Sequence, residues 1–353
     1  MGSIGQTRFH IGDPSESLKF ITLRKPKSLN MKDSDKMEMG NKAHREIPGN
    51  PSTATSSKQR LNDRSLEKAL QVLSEEEWGH WIHEGYVIVR GAISPERAEE
   101  TAAFLWEFEE KDPEDPTTWY TPARAEMKMK ELAGTGMVEV YNHQQLWENR
   151  QQRRIYEAFV DIWGTEKLWV TIDRANLNFP SRPGHEQKGF IHWDYDPETK
   201  PQNVQGVLAL ADQTDPEMGG FQCIPWLYRN YETWKKTQPE DRDHFQPDIS
   251  GLEDKLVKVE LRAGDLLIFN SLLPHGIRPN RSKDKVRIAQ YISMMPAEPE
   301  NDALRQWRIH SWKNREAPEG YAFPGDPRKW EQTRYDRATL SDLGKKLLGL
   351  DPW

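Results

Sequence analysis

The feature that most constrains the fold is a succession of short apolar or alternating runs at 168–177, 189–195, 204–211, 220–224, 256–261, 265–269 and 286–294. Gly, Pro, Asp or Asn separates most of them, and each has strand rather than helix length. Such a series predicts two antiparallel sheets packed face to face, as a sandwich or jelly roll. The segment 226–254 interrupts the series. It is polar, aromatic and too long for a turn, so it reads as a partly helical insertion at the mouth of the fold.

Helical signals precede the strands. Leu66, Leu70 and Leu73 recur at turn spacing, and Ser74 stands before Glu75, Glu76 and Glu77 as an N-cap would. A short strand is expected at 86–89. Ser94 and Pro95 open a second helix carrying Ala98, Ala102, Leu105 and Phe108. Leu146, Ile155, Phe159 and Ile162 suit a helix across one sheet face, stopped by Gly164. The expected class is mainly β with flanking helices. Its parts are a flexible leader at 1–65, a helical cover at 66–163, a jelly-roll core at 164–297 and an extension at 298–353 packed outside the core.

Composition excludes several functions. The formal charge of −7 comes from intermixed acids and bases, so no nucleic-acid footprint is legible. The basic stretch 281–287 is short and reads as a solvated turn. One cysteine, Cys223, permits no internal disulfide and no zinc site built on several thiolates. Cys223 itself reads as a small buried hydrophobe. No apolar run has signal-peptide or membrane-spanning length. A cytoplasmic protein without membrane contact is therefore expected; its oligomeric state is not encoded legibly.

His192, Trp193 and Asp194 form the chain's one His-x-Asp. With ten histidines, chance supplies about half such a motif, so its position carries the weight. Residues two apart on a strand share a face, which lets His192 and Asp194 enter the interior while Trp193 points away. His275, just past another apolar run, can complete two imidazoles and one carboxylate. That set describes the facial triad of non-haem iron enzymes, with three coordination positions left open. Arg287 follows twelve residues after His275 and opens the next strand. Parity places it with Ala289, Tyr291 and Ser293 on the inward face. A buried guanidinium needs an anion. A dicarboxylic cosubstrate, 2-oxoglutarate, fits, with one end on Arg287 and the other chelating Fe(II), and dioxygen at the last position. His143, His185 and His244 lie in polar or loop contexts and read as surface hydrogen-bonding groups.

From 163 to 295 the chain resembles the phytanoyl-CoA dioxygenase family of Fe(II)/2-oxoglutarate oxygenases. The resemblance rests on His192-Trp193-Asp194 and on Gly219, Gly220, Phe221, Gln222, Cys223, Ile224 and Pro225. It rests also on Gly264-Asp265 before an apolar strand and on His275-Gly276 with Asn280 and Arg287. It implies a double-stranded β-helix, cupin-like, with iron on His192, Asp194 and His275 and 2-oxoglutarate on Arg287. It further points to Asn176 for 2-oxoglutarate and Arg174 for substrate. Trp193 is a weaker candidate for substrate contact, set against a packing role under covering helices. The chain departs from the family at Trp226, Leu227 and Tyr228, where Gly-Ser-His is common, and at Ile277, where serine is common. Related halogenases lack the carboxylate that Asp194 keeps, so hydroxylation of a small molecule is implied, with release of succinate and carbon dioxide. The other readings are a non-redox cupin-type isomerase or hydrolase, which needs no Arg287, and a non-catalytic binding module, which needs no complete ligand set.

Overall fold

The computed structural model describes residues 54–55, 61, 69–120, 136–184, 189–194, 196–198, 203–318 and 324–353. Most of the expected leader, together with Leu66, His185 and Tyr195, lies outside them. Within 1–65 two residues, β1 (Ala54–Thr55), pair with Asn203 and Val204.

The main sheet is antiparallel. It runs in the order β2 (Tyr86–Val89), β9 (Leu266–Asn270), β6 (Asn203–Ala209), β11 (Arg287–Tyr291), β5 (Ala175–Asn178) and β3 (Met137–Val138), with β1 added on β6. A smaller sheet faces it: β10 (His275–Arg278), β7 (Gly220–Cys223) and β8 (Val257–Lys258). A third pair, β4 (Leu168–Val170) with β12 (Met294–Pro296), flanks the main sheet. Mostly sheet with helices outside, this is a double-stranded β-helix whose sheets do not close.

Alternation divides the layers. Val207, Ala209, Leu267, Phe269 and Ala289 face Phe221, Cys223 and Val259 of the smaller sheet in an inner core. Val204, Leu208, Leu266, Ile268 and Ile288 point the other way, into a larger core shared with the helices. Arg287, Ala289 and Tyr291 thus face inward as parity predicts. Ser293 lies beyond the strand, where its carbonyl accepts from the Thr171 amide at 2.8 Å.

The helices form where their caps lie. In α1 (Glu75–Glu84) Ser74 and Glu77 make a reciprocal capping box and Gly85 ends the helix in the left-handed conformation. Helix α2 (Pro95–Phe108) starts at Ser94. The expected helix before Gly164 is two, α3 (Gln144–Arg150) and α4 (Arg153–Trp163). They separate at Gln151, whose side-chain oxygen accepts from the Ser341 amide and hydroxyl.

Three expectations fail locally. Residues 69–73 are not helical, because the amides of Gln71, Val72 and Leu73 donate to the Asp161 carboxylate at 2.8, 2.8 and 2.9 Å. The run 168–177 is two strands, since β4 leaves for β12 while β5 joins β11. The run 189–194 makes only one bridge, His192 to His275; the next amide, of Trp193, donates instead to Phe245 at 2.8 Å. The insertion carries the expected helix, α5 (Pro225–Trp234).

Beyond Pro296, helix α6 (Asp302–Asn314) directs Arg308 into the core, where it donates to carbonyls of Val170, Leu347 and Leu348. The final helix, α7 (Asp342–Leu348), stops at Gly349. Among the described residues no helix is long and apolar enough to cross a membrane.

Candidate metal centre

His192 and His275 exchange backbone hydrogen bonds of 2.8 and 3.0 Å across the start of β10. A Cβ at Gly276 would run into the Phe190 carbonyl, so glycine beside His275 is what lets the two segments approach. Across this bridge the rings of His192 and His275 lie 4.7 Å apart. The Nε2 atoms reach Asp194, His192 to Oδ1 at 3.4 Å and His275 to Oδ2 at 3.3 Å. One donor atom from each of the three residues falls within 4.8 Å of the others, the dimensions of a site for one ion.

Neighbouring groups orient these three side chains. His275 Nδ1 donates to the Leu273 carbonyl at 3.0 Å, which fixes the tautomer and leaves the Nε2 lone pair able to bind a metal. The rings of Phe221 and Phe269 flank the same imidazole at 5.6 and 4.4 Å. Burial pushes the Asp194 carboxyl up, but hydrogen bonds and charge from His192 and His275 outweigh it and hold the group well below the usual carboxylate range. An anionic carboxylate between two imidazoles is the donor set that a divalent first-row metal takes.

Trp193 occupies the other face. It is fully buried, donates through Nε1 to the Leu272 carbonyl at 3.0 Å, and meets Tyr231 and Trp234 edge-on at 5.6 and 6.0 Å. It packs beneath α5, away from the triad, as its parity with His192 requires.

Arg287 is 0% exposed inside the fold. Its Nη1 donates to Asn176 Oδ1 at 2.7 Å and its Nε to Gln213 Oε1 at 3.3 Å. Nη2 is buried without a hydrogen-bond partner, and among the described residues no carboxylate pairs with this guanidinium. Its neighbour Arg278 gives no compensation; burial first, and then the charge of Arg287, lower the Arg278 pKa. An anion would satisfy this buried arm.

Arg174 is placed differently. Its Nη1 lies 2.7 Å from Glu139 and its Nε 3.8 Å from Asp173, both nearly buried. The Tyr141 hydroxyl donates to the same Glu139 carboxylate. The guanidinium expected to meet substrate is thus already neutralised by protein acids.

Two further residues went unread in the sequence. Gln213 holds Arg287 from a position outside any strand run. Gln205, on β6, donates through Nε2 to Asp194 Oδ2. Its signal was available: a polar side chain on the inward parity of an apolar strand.

Residues 81–289 match the model of the phytanoyl-CoA dioxygenase (PhyH) family, more than half of the 353 residues. The chain belongs to the PhyH family. A relative, Ava biosynthesis cluster protein O of Aspergillus versicolor, is 29% identical over 248 residues, covering 63% of this chain and 79% of that protein. Among solved structures, hypothetical protein JW0805 from Escherichia coli superposes with a TM-score of 0.59 at 16% identity, over 81% of this chain and 87% of that one. GlcNAc Inducible Gene 2 from Candida albicans gives 0.55 at 13% identity, over 91% and 84%. These two resemblances concern the fold alone.

Several PhyH signatures have structural duties here. A Cβ at Gly220 would strike the Arg278 guanidinium, whose Nε and Nη1 donate to carbonyls of Met218, Phe221 and Val259. Asp265 accepts from the Gly91 and Arg262 amides at 3.0 and 2.9 Å, closing a turn. Asn280 donates to carbonyls of Asn178 and Lys285, pinning the loop that leads into Arg287. The departure at Trp226, Leu227 and Tyr228 is the first turn of α5, with Pro225 at its start. Cys223 is buried in the inner core, and burial pushes its thiol up.

Proposed function

We propose that this PhyH-family chain is an Fe(II)- and 2-oxoglutarate-dependent dioxygenase that hydroxylates an unactivated C–H bond of a small-molecule metabolite. His192, Asp194 and His275 would hold the iron. Arg287, steadied by Asn176 and Gln213, would bind the distal carboxylate of 2-oxoglutarate. The observation that carries this reading is the buried Nη2 of Arg287, an unpaired cationic donor in the same interior as a complete two-histidine, one-carboxylate set. A non-redox isomerase or hydrolase has no use for that guanidinium.

Iron held by His192, Asp194 and His275 would activate dioxygen, the oxidant, with two electrons drawn from 2-oxoglutarate, which would become succinate and carbon dioxide, and two from the substrate C–H bond. The protein's part is placement. The Leu273 carbonyl keeps the His275 proton on Nδ1. Phe221 and Phe269 exclude water from the far side of that ring. Asp194 retains the carboxylate that favours hydroxylation over halogenation. Phe190, the most exposed large apolar side chain among the described residues at 57%, lies 4.7 Å from the His192 ring and would offer an apolar contact to an incoming substrate. The biosynthetic name of the Aspergillus relative supports a metabolite as substrate. The single cysteine suits a cytoplasmic setting.

The test is succinate formation in air from 2-oxoglutarate with Fe(II) across a panel of metabolites. A substrate that stimulates succinate and gains one oxygen atom supports the proposal. Turnover of a substrate by a non-redox route, without 2-oxoglutarate, overturns it.

A further inference from the structure

Side chains on the inner face of the main sheet fall into rows. Arg287, Ala289 and Tyr291 alternate inward along β11, and the register carries each row across to β5 or β6. The middle row is low, with Ala289 beside Ala209. Next to it Tyr291 stands between Val207, its partner on β6, and Arg174, whose carbonyl accepts from the Tyr291 amide at 3.0 Å. Four residues at about 3.4 Å each put Tyr291 about 14 Å along the strand from Arg287, beyond the length of a five-carbon diacid held there. Tyr291 is instead diagonal to Gln205, the residue that donates to Asp194, and an aromatic side chain spans such a diagonal.

The polar groups beside it are occupied. Asn176 accepts from Arg287 at 2.7 Å, and Arg174 is ion-paired with Glu139, also at 2.7 Å. Tyr291 differs: it is half-buried against the inner core, and no group among the described residues hydrogen-bonds its hydroxyl. A tyrosine hydroxyl inside a fold usually has a partner, so this one is placed to take its partner from a ligand. The charges of Arg174 and Glu139 cancel, which leaves nothing in this row to hold an ionic group. Resting on the function proposed above, we propose that Tyr291 is a specificity-determining residue whose hydroxyl hydrogen-bonds an uncharged hydroxyl or carbonyl group of an otherwise apolar substrate. Val207, Ala289 and the exposed Phe190 ring are the apolar surfaces such a molecule would meet.

The experiment compares probes that share one ring and differ in its end group: toluene, benzyl alcohol, benzoate and benzylammonium. Each is titrated into the full chain loaded with Mn(II) and saturating 2-oxoglutarate, which keeps benzoate off Arg287. The Kd is read from the added relaxation of probe protons by Mn(II), with the Zn(II)-loaded protein as the diamagnetic control. The expected wild-type result is benzyl alcohol bound about three- to tenfold more tightly than toluene, the yield of one neutral hydrogen bond, with both charged probes weaker than either. Tyr291→Phe should bring benzyl alcohol down to the affinity of toluene, while toluene and 2-oxoglutarate stay within about twofold of wild type. A merely structural role would weaken every probe alike and so overturns the inference. Benzyl alcohol no tighter than toluene in the wild type, a charged probe bound most tightly, or a preference that survives in Tyr291→Phe overturns it as well. The wild-type ranking decides even if the variant fails to fold. Should Mn(II) not relax the protons of 2-oxoglutarate in the wild type, before any probe is added, the functional proposal itself falls, a distinguishable result.

Discussion

Nη1 of Arg287 lies 2.7 Å from Oδ1 of Asn176, across the pairing of β11 with β5. The amide aims the guanidinium fork, and the fork's remaining arm, Nη2, is buried without a partner. Two strands far apart in sequence thus fix one buried guanidinium inside the main sheet, where the proposed function puts the distal carboxylate of 2-oxoglutarate.

Arg287→Leu should retain Fe(II) or Co(II) while weakening 2-oxoglutarate by about two orders of magnitude, on the scale of losing one side of a buried charge pair, about 2 to 5 kcal/mol. Linkage offers a check independent of turnover. 2-Oxoglutarate at about 100 times its Kd should stabilise the metal-loaded wild type by about 2.7 kcal/mol and the variant hardly at all. Equal thermal shifts in both proteins would place the oxoacid elsewhere.

Trp193 is a core residue of the insertion rather than a substrate contact. Trp193→Ala should cost about 3 to 5 kcal/mol in denaturant unfolding, through the lost ring and the cavity it leaves beneath α5. Phe190→Ala, at an exposed ring, should stay within about 0.5 kcal/mol of wild type and alter substrate KM instead. A large stability loss at Phe190 with none at Trp193 would reverse the assignment of the two faces.

Glu109 makes stability depend on pH. Burial pushes its carboxyl up to about 7, only partly countered by Arg328 at 3.5 Å. The native state then keeps a proton that the unfolded chain has already released, so stability falls as pH rises toward and through 7. Glu331, also raised to about 7 by burial, acts in the same sense. His143, lowered to about 4 by burial, acts oppositely, but only below its ordinary range near 6.5. Unfolding free energies measured from about pH 6.5 to 8 should therefore decline, and Glu109→Gln should flatten that decline by about 1 kcal/mol. An unchanged slope would mean that Glu109 is ionised throughout.

Much of this architecture was legible where periodicity is local. The alternation in β11 places Arg287 and Ala289 inward and Ile288 outward, and both Ser74 and Gly164 mark helix ends correctly. What was not legible depends on distant partners. Leu70 and Leu73 have helical spacing, yet Asp161, some 90 positions away, takes the amides that a helix would need. The run at 189–194 alternates as a strand does, so the facing of His192 and Asp194 was readable. Its backbone nevertheless bonds first to His275 and then to Phe245, which no local pattern encodes. Arg174 carries a charge whose neutralisation by Glu139 appears only when β3 and β5 pair. Gln205 and Gln213 announce no chemistry by residue type, and their importance lies in the groups they touch.

The proposed function requires one interior to hold both a divalent iron site and a dicarboxylate site. Its most direct test is anaerobic titration of Fe(II) and then 2-oxoglutarate into the full chain, followed by visible absorption. The expected result is a metal-to-oxoacid charge-transfer band that is absent from His192→Ala and Asp194→Ala and greatly weakened in Arg287→Leu. No band in the folded wild type, or a band that survives loss of His192 or Asp194, would contradict it.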